Sequence, residues 1–128
     1  MKARYYVFTA LYCAAIFWVS SQSEPVPTDY RFEGLDKLAH VVVYAGLAAL
    51  VSSGIRRSGR PTRPAVQALV PLAFAVLYGI SDEIHQYFIP ERSFDPLDIV
   101  ANTVGALAAQ VALCRWWRVP LTGTSRLP

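Results

Sequence analysis

The chain has 128 residues and a formal charge of +3, which is one domain's worth of protein. It is 54% hydrophobic and only 16% charged, against about 25% charged in soluble domains. That deficit is concentrated in four apolar stretches, and it excludes an ordinary soluble enzyme, a disordered chain and a nucleic-acid binder, despite a pI near 9.1.

A membrane-crossing helix needs about 20 mostly apolar residues, with about 17 as a lower limit. The first candidate, YYVFTALYCAAIFWVSS at 5–21, contains no charge. The start MKAR, the apolar run and SSQS also fit a cleaved signal peptide. The run is long for that and includes Trp18, so it reads as a retained helix. The second candidate, 38–55, carries one His. The third starts at residue 65, stays apolar to residue 81 and continues as a helix through Asp82, Glu83, Ile84 and His85. The fourth covers 97–117. Pro- and Gly-bearing connectors punctuate the spans, and there is no internal repeat or low-complexity tract. The expected fold is an all-α, four-helix transmembrane bundle over 1–118, followed by a short cytoplasmic tail at 119–128.

Charge placement gives an orientation. With the amino terminus in the cytoplasm, one side receives Lys2, Arg4, Arg56, Arg57, Arg60, Arg63, Arg115, Arg118 and Arg126 and no acid. The other side receives Arg31, Lys37 and Arg92 with all 9 carboxylates. This split follows the positive-inside rule and predicts that both termini are cytoplasmic. The arginines then act as topology signals facing anionic head groups. Cys13 and Cys114 fall at different depths, so both are expected to be free, buried and structural.

The informative residues cluster at the outer ends of three spans. Lys37, His40 and Tyr44 share one helix face, as do Tyr78, Asp82 and Gln86, with Glu83 beside them. Asp95, Asp98 and Asn102 form a third face, continued by the small residues Gly105, Ala106 and Ala109, which permit close helix approach. Three polar faces at one depth can converge on a pocket open to the outside.

Such residues are costly in a membrane and carry a functional default, yet they also serve as interhelical glue. For Asp36 and Glu91 simple interfacial solvation is favoured. Lys37, His40 and Arg92 could meet an anion, Arg92 bidentately. His40 with Asp82 or Glu83 could do acid–base work. His40, Asp82, Glu83, His85 and Asp98 are potential metal ligands. With no HExxH motif and no Cys cluster, neither a metal nor a cofactor is expected. No Ser or Cys has an evident base beside it, since adjacency in a helix does not point Ser81 at Asp82.

Three stretches of the chain resemble the VanZ-like family of small bacterial membrane proteins. FWVSSQS (17–23) is similar to the Ser-Ser-Gln ending of the family's first helix. DKLAHVVVYAGLAAL (36–50) resembles its Asp-Lys-x-x-His-x-x-x-Tyr signature. YGISDEIHQYFIPERSFDPLDIVANTVGA (78–106) resembles its Asp-Glu-x-x-Gln, Arg and Asp-x-x-x-Asn run. The order of the pieces also agrees. The resemblance carries over Asp36, Lys37, His40, Tyr44, Asp82, Glu83, Gln86, Arg92, Asp95, Asp98 and Asn102, while His85 lies outside the pattern.

The resemblance implies a cell-envelope protein linked to tolerance of the glycopeptide teicoplanin. The site's placement fits an anionic or lipid-linked envelope precursor. The expected ligand-binding residues are Lys37, His40, Tyr44, Asp82, Glu83, Gln86, Arg92, Asp98 and Asn102, with His40, Asp82 and Glu83 as catalytic candidates. The expected partners are the lipid bilayer and such a ligand, with no nucleic acid. Alternatives are a membrane hydrolase or phosphatase acting on a lipid-linked substrate with the same residues, with or without a divalent metal, and a proton-coupled transporter or flippase.

Overall fold

The computed structural model describes residues 3–23, 34–59 and 61–117. Glu24, Pro25, Pro27, Asp29, Arg31, Glu33, Lys2, Arg60, Arg118, Arg126 and the tail lie outside the described residues. Four helices and no strand occur among the described residues: α1 (Ala3–Ser20), α2 (Leu35–Arg56), α3 (Pro64–Tyr87) and α4 (Pro96–Trp116). The fold is all-α.

Helices α2, α3 and α4 are each long and apolar enough to cross a membrane. Their 22, 24 and 21 residues rise about 1.5 Å each, against a hydrocarbon core about 30 Å thick. Helix α1 falls outside that set of three. It has 18 residues, and Arg4, Tyr5, Tyr6 and Tyr12 dilute its apolar content. Its exposed Val7, Phe8, Leu11, Phe17 and Trp18 nevertheless form an apolar outer surface.

Helix α2 begins earlier than the apolar run at 38–55, because Gly34 turns into it with φ 87°. Glycine adopts that left-handed conformation without steric cost. Asp36 and Lys37 therefore sit in the first turn rather than in a loop. Helices α3 and α4 each start with Pro at a first-turn position, where its missing N–H costs nothing. Asp95 caps α4, accepting from the Leu97 N–H at 2.8 Å.

Polarity is distributed inside out. Leu38, Val42, Leu69, Leu77, Val100, Val104 and Val111 are exposed. Ser52, Asp82, Glu83, Gln86, Asp98, Asn102 and Gln110 are buried. Lipid accepts the first group and cannot satisfy the second, which must find partners within the bundle.

Helix α2 packs chiefly on α4, and the two run parallel. Lys37 meets Asp98 near both starts, and Arg56 meets Cys114 near both ends. Between these pairs, Gln110 accepts from Ser52 Oγ at 3.3 Å and donates to the Ala48 carbonyl at 3.2 Å. Gly105 lies directly against the Val41 backbone, leaving no room for a Cβ. Helix α3 runs antiparallel and packs against both, with Ile16, Tyr44, Leu47, Ala48, Val51, Ala75 and Ala106 forming the apolar core. Helix α1 is peripheral, held where Tyr12 donates to the Val43 carbonyl at 3.0 Å and Tyr78 donates to the Cys13 carbonyl at 2.7 Å. Both cysteines are free.

Close approach at Gly105 is therefore a packing requirement. Gly105→Ala should destabilise the bundle by about 1–3 kcal/mol, since backbone must move. Gly46→Ala meets only the Tyr12 phenol end, which can swing away for about one hydrogen bond, 0.5–1.5 kcal/mol. Thermal melting in detergent, followed by tryptophan fluorescence, checks this ranking. A larger loss for Gly46→Ala would contradict it.

Candidate functional site

The starts of α2 and α4 and the end of α3 share one end of the bundle. Two helix N-termini there present positive partial charge, which favours carboxylates. Asp36, Asp95 and Asp98 occupy those first turns and the α4 cap. The opposite end carries Arg56, Arg57 and Arg115, with the Arg56 guanidinium 4.8 Å from the Trp117 ring centroid.

At the acidic end, Lys37 Nζ donates to Asp95 Oδ2 and Asp98 Oδ1 at 2.5 Å each, and sits 3.1 Å from Asp36 Oδ2. Two of the ammonium's three donors are used on Asp95 and Asp98, and Asp36 adds a third ion pair. The Lys37 charge beside Asp95 holds its carboxyl below the usual carboxylate range.

The next layer is built on His40. Its Nδ1 lies 2.9 Å from Asn102 Oδ1, and its Nε2 lies 3.5 Å from Asp98 Oδ2. Asp98 therefore turns one oxygen to Lys37 and the other to His40.

A second chain of contacts runs from the loop into α3. Arg92 Nη2 donates to Gln86 Oε1 at 2.7 Å. Gln86 Nε2 and Tyr44 Oη each donate to Asp82 Oδ2 at 3.1 Å. Glu83, the next residue, faces α4 instead, and its Oε2 accepts from the Asp95 N–H at 3.3 Å. Glu83 Oε1, Arg92 Nε and Asn102 Nδ2 are buried without a hydrogen-bond partner among the described residues. Gly79 supplies the space beside Asn102, since a Cβ there would meet Asn102 Nδ2 at 2.9 Å.

Lys37, His40, Tyr44, Asp82, Glu83, Gln86, Arg92, Asp98 and Asn102 thus all meet at one end. Tyr78, on the same sequence face as Asp82, points instead to α1. Asp95 is more central than its sequence position alone implies, linking Lys37 to Glu83.

One contact escaped the sequence reading: Ser21 Oγ lies 3.0 Å from His85 Nε2, and Phe17 stacks on the same ring. The Ser21 hydroxyl donates to the Phe17 carbonyl at 2.7 Å, so the imidazole must donate to Oγ. That proton placement makes a clamp between α1 and α3, not an activated nucleophile. The separation of 64 residues hid it.

Three membrane-length helices around a polar-lined end define a small polytopic membrane protein. The VanZ/LLP1 family model matches residues 4–118, and the chain belongs to that family. No curated protein and no solved structure matches the chain.

The Lys37 cluster has a pH signature. A depressed Asp95 pKa contributes stability that is fully present above the ordinary carboxylate value of about 4 and is lost as pH falls through the depressed value. Melting temperature should therefore drop on acidification, and Asp95→Asn should flatten that limb while lowering stability at neutral pH. Lys37→Met should cost about 1–3 kcal/mol, between the values for exposed and buried pairs because Lys37 is only partly covered. An unchanged acid limb in Asp95→Asn would remove this account.

Proposed function

We propose that this VanZ-family protein lies in the bacterial cytoplasmic membrane with both termini in the cytoplasm and its acidic end outside. There it binds the anionic head group of a lipid-linked envelope precursor and contributes to glycopeptide tolerance. The observation that carries this reading is the pair of polar networks, one around Lys37, His40 and Asp98 and one around Asp82, Gln86 and Arg92, at the end opposite Arg56, Arg57 and Arg115. Polar groups buried at head-group depth are expensive unless something uses them.

Arg92 is the side chain that meets the anion. Its Nη2 is held by Gln86, while its Nε has no partner among the described residues. A guanidinium so oriented supports a phosphate or carboxylate contact. Lys37 positions Asp95 and Asp98, because its donors are already committed. Asp82, Tyr44 and Gln86 hold Arg92 in place from below.

The orientation follows from charge. In a cysteine-free background, a membrane-impermeant maleimide should label Ser93→Cys in intact cells and Arg63→Cys only after lysis. The reverse pattern would invert the topology.

The functional test is teicoplanin susceptibility in a Gram-positive host expressing the chain. The parent should raise tolerance, and Arg92→Ala and Asp82→Asn at matched membrane abundance should return it to the empty-vector level. Variants that protect as well as the parent would reduce the polar cluster to helix glue.

A further inference from the structure

Glu83 is fully buried, and its Oε1 has no hydrogen-bond partner among the described residues. No Lys or Arg among the described residues forms an ion pair with it. A carboxylate taken out of water without a counter-charge costs several kcal/mol. His40 of α2 and Asp98 of α4 stand beside it. One ligand atom from each of the three residues lies within 4.8 Å of the others.

His40 is oriented as a ligand would be. An amide oxygen can only accept, so Asn102 Oδ1 at 2.9 Å places the proton on Nδ1. Nε2 then faces Asp98 Oδ2 at 3.5 Å, beyond ordinary hydrogen-bond length. A positive charge belongs between them: either a second ring proton, which makes an imidazolium, or a bound cation. A buried group fixing the far nitrogen of a histidine is the usual support for a metal-binding imidazole. Asn102, 1% exposed, is such a group. Asp98 keeps Oδ2 free for this role because Lys37 occupies its Oδ1.

The geometry points to a divalent-cation site formed by His40 Nε2, the Glu83 carboxylate and Asp98 Oδ2. Ligands at about 2.0–2.2 Å from an ion stand a little closer together than the observed spread, so side-chain rotation closes the site. One imidazole and two carboxylates suit a first-row ion of the Mn²⁺ or Zn²⁺ type over Ca²⁺, which prefers oxygen alone. The surroundings favour a dication: among the described residues at this end, Asp36, Asp82, Glu83, Asp95 and Asp98 outnumber the full cations Lys37 and Arg92. Three protein ligands leave coordination positions open. A phosphate oxygen could take one, with Arg92 on another oxygen. That last step rests on the ligand reading above; the ion site stands on its three residues. It departs from the sequence expectation of no metal, because the ligands come from three helices without a local motif.

The test uses the full chain in detergent, stripped with a chelator and titrated with Mn²⁺ alone. Electron paramagnetic resonance should show loss of the free-ion signal at one ion per chain, with nitrogen coupling from one imidazole. A chelator-reversible rise in melting temperature should accompany it. Glu83→Gln keeps the side chain's shape and removes the buried charge. It should melt at or above the ion-free parent, yet bind Mn²⁺ about tenfold or more weakly. His40→Gln should abolish the nitrogen coupling, and Zn²⁺ should displace Mn²⁺. The site is overturned if the parent binds neither ion, if bound Mn²⁺ lacks nitrogen coupling, or if Glu83→Gln binds as the parent does. In the first case His40 is an imidazolium paired with Asp98. Ion binding without an Arg92-dependent teicoplanin effect would sink the ligand reading and keep the site. Protection without ion binding would do the reverse.

Discussion

The arrangement depends on one contact: the Lys37 ammonium held between Asp95 and Asp98, with Asp36 beside it. It joins the first turn of α2 to the start of α4, two helices that run parallel and therefore bring two positive dipole ends together. Acids gather there for that reason, and a cation must then keep them from repelling one another. The contact also requires the helix axes to come close. Gly105 against the Val41 backbone supplies that closeness one turn deeper. A bulkier residue there would separate α2 from α4, and Lys37 could no longer reach Asp98 without losing Asp36. Packing and electrostatics are thus one constraint at this end of the molecule.

Polarity changes with depth along the same seam. Charged groups fill the first turns, the middle is apolar around Leu47, Ala48 and Ala106, and neutral amide and hydroxyl contacts at Ser52 and Gln110 follow toward the arginine end. This gradient matches what each depth can solvate. Near the head groups a carboxylate retains access to water and counter-ions, whereas deeper in the hydrocarbon only paired neutral groups are tolerated. Gln110 is tolerated because both ends of its amide are used.

Much of this was legible in the sequence. The apolar runs located the four helices because lipid-facing residues carry no competing signal. Helical spacing grouped Lys37 with His40 and Tyr44, and Asp98 with Asn102, since neighbours at i, i+3 and i+7 share a face whatever the tertiary fold. Hydropathy alone misplaced the start of α2, because Asp36 and Lys37 look like loop residues until their partners on α4 are known. The same limit hid Ser21 beside His85, and sent Tyr78 to α1 instead of the polar cluster. Sequence spacing fixes a face but not the neighbour that face will meet. The grouping of His40, Glu83 and Asp98 was invisible as a motif for the same reason.

The adjacent acids Asp82 and Glu83 separate structure from chemistry at this end. Successive helical residues point about 100° apart, so the two carboxylates face different neighbours. Asp82 Oδ2 accepts from both Tyr44 and Gln86, and through Gln86 it steadies Arg92. Glu83 receives one long backbone hydrogen bond, and its other oxygen is buried with no partner among the described residues. A carboxylate kept only for stability would resemble the first; replacing the second with glutamine should cost the fold little. Under the proposal made above, Glu83 serves the ion and Asp82 the frame around it.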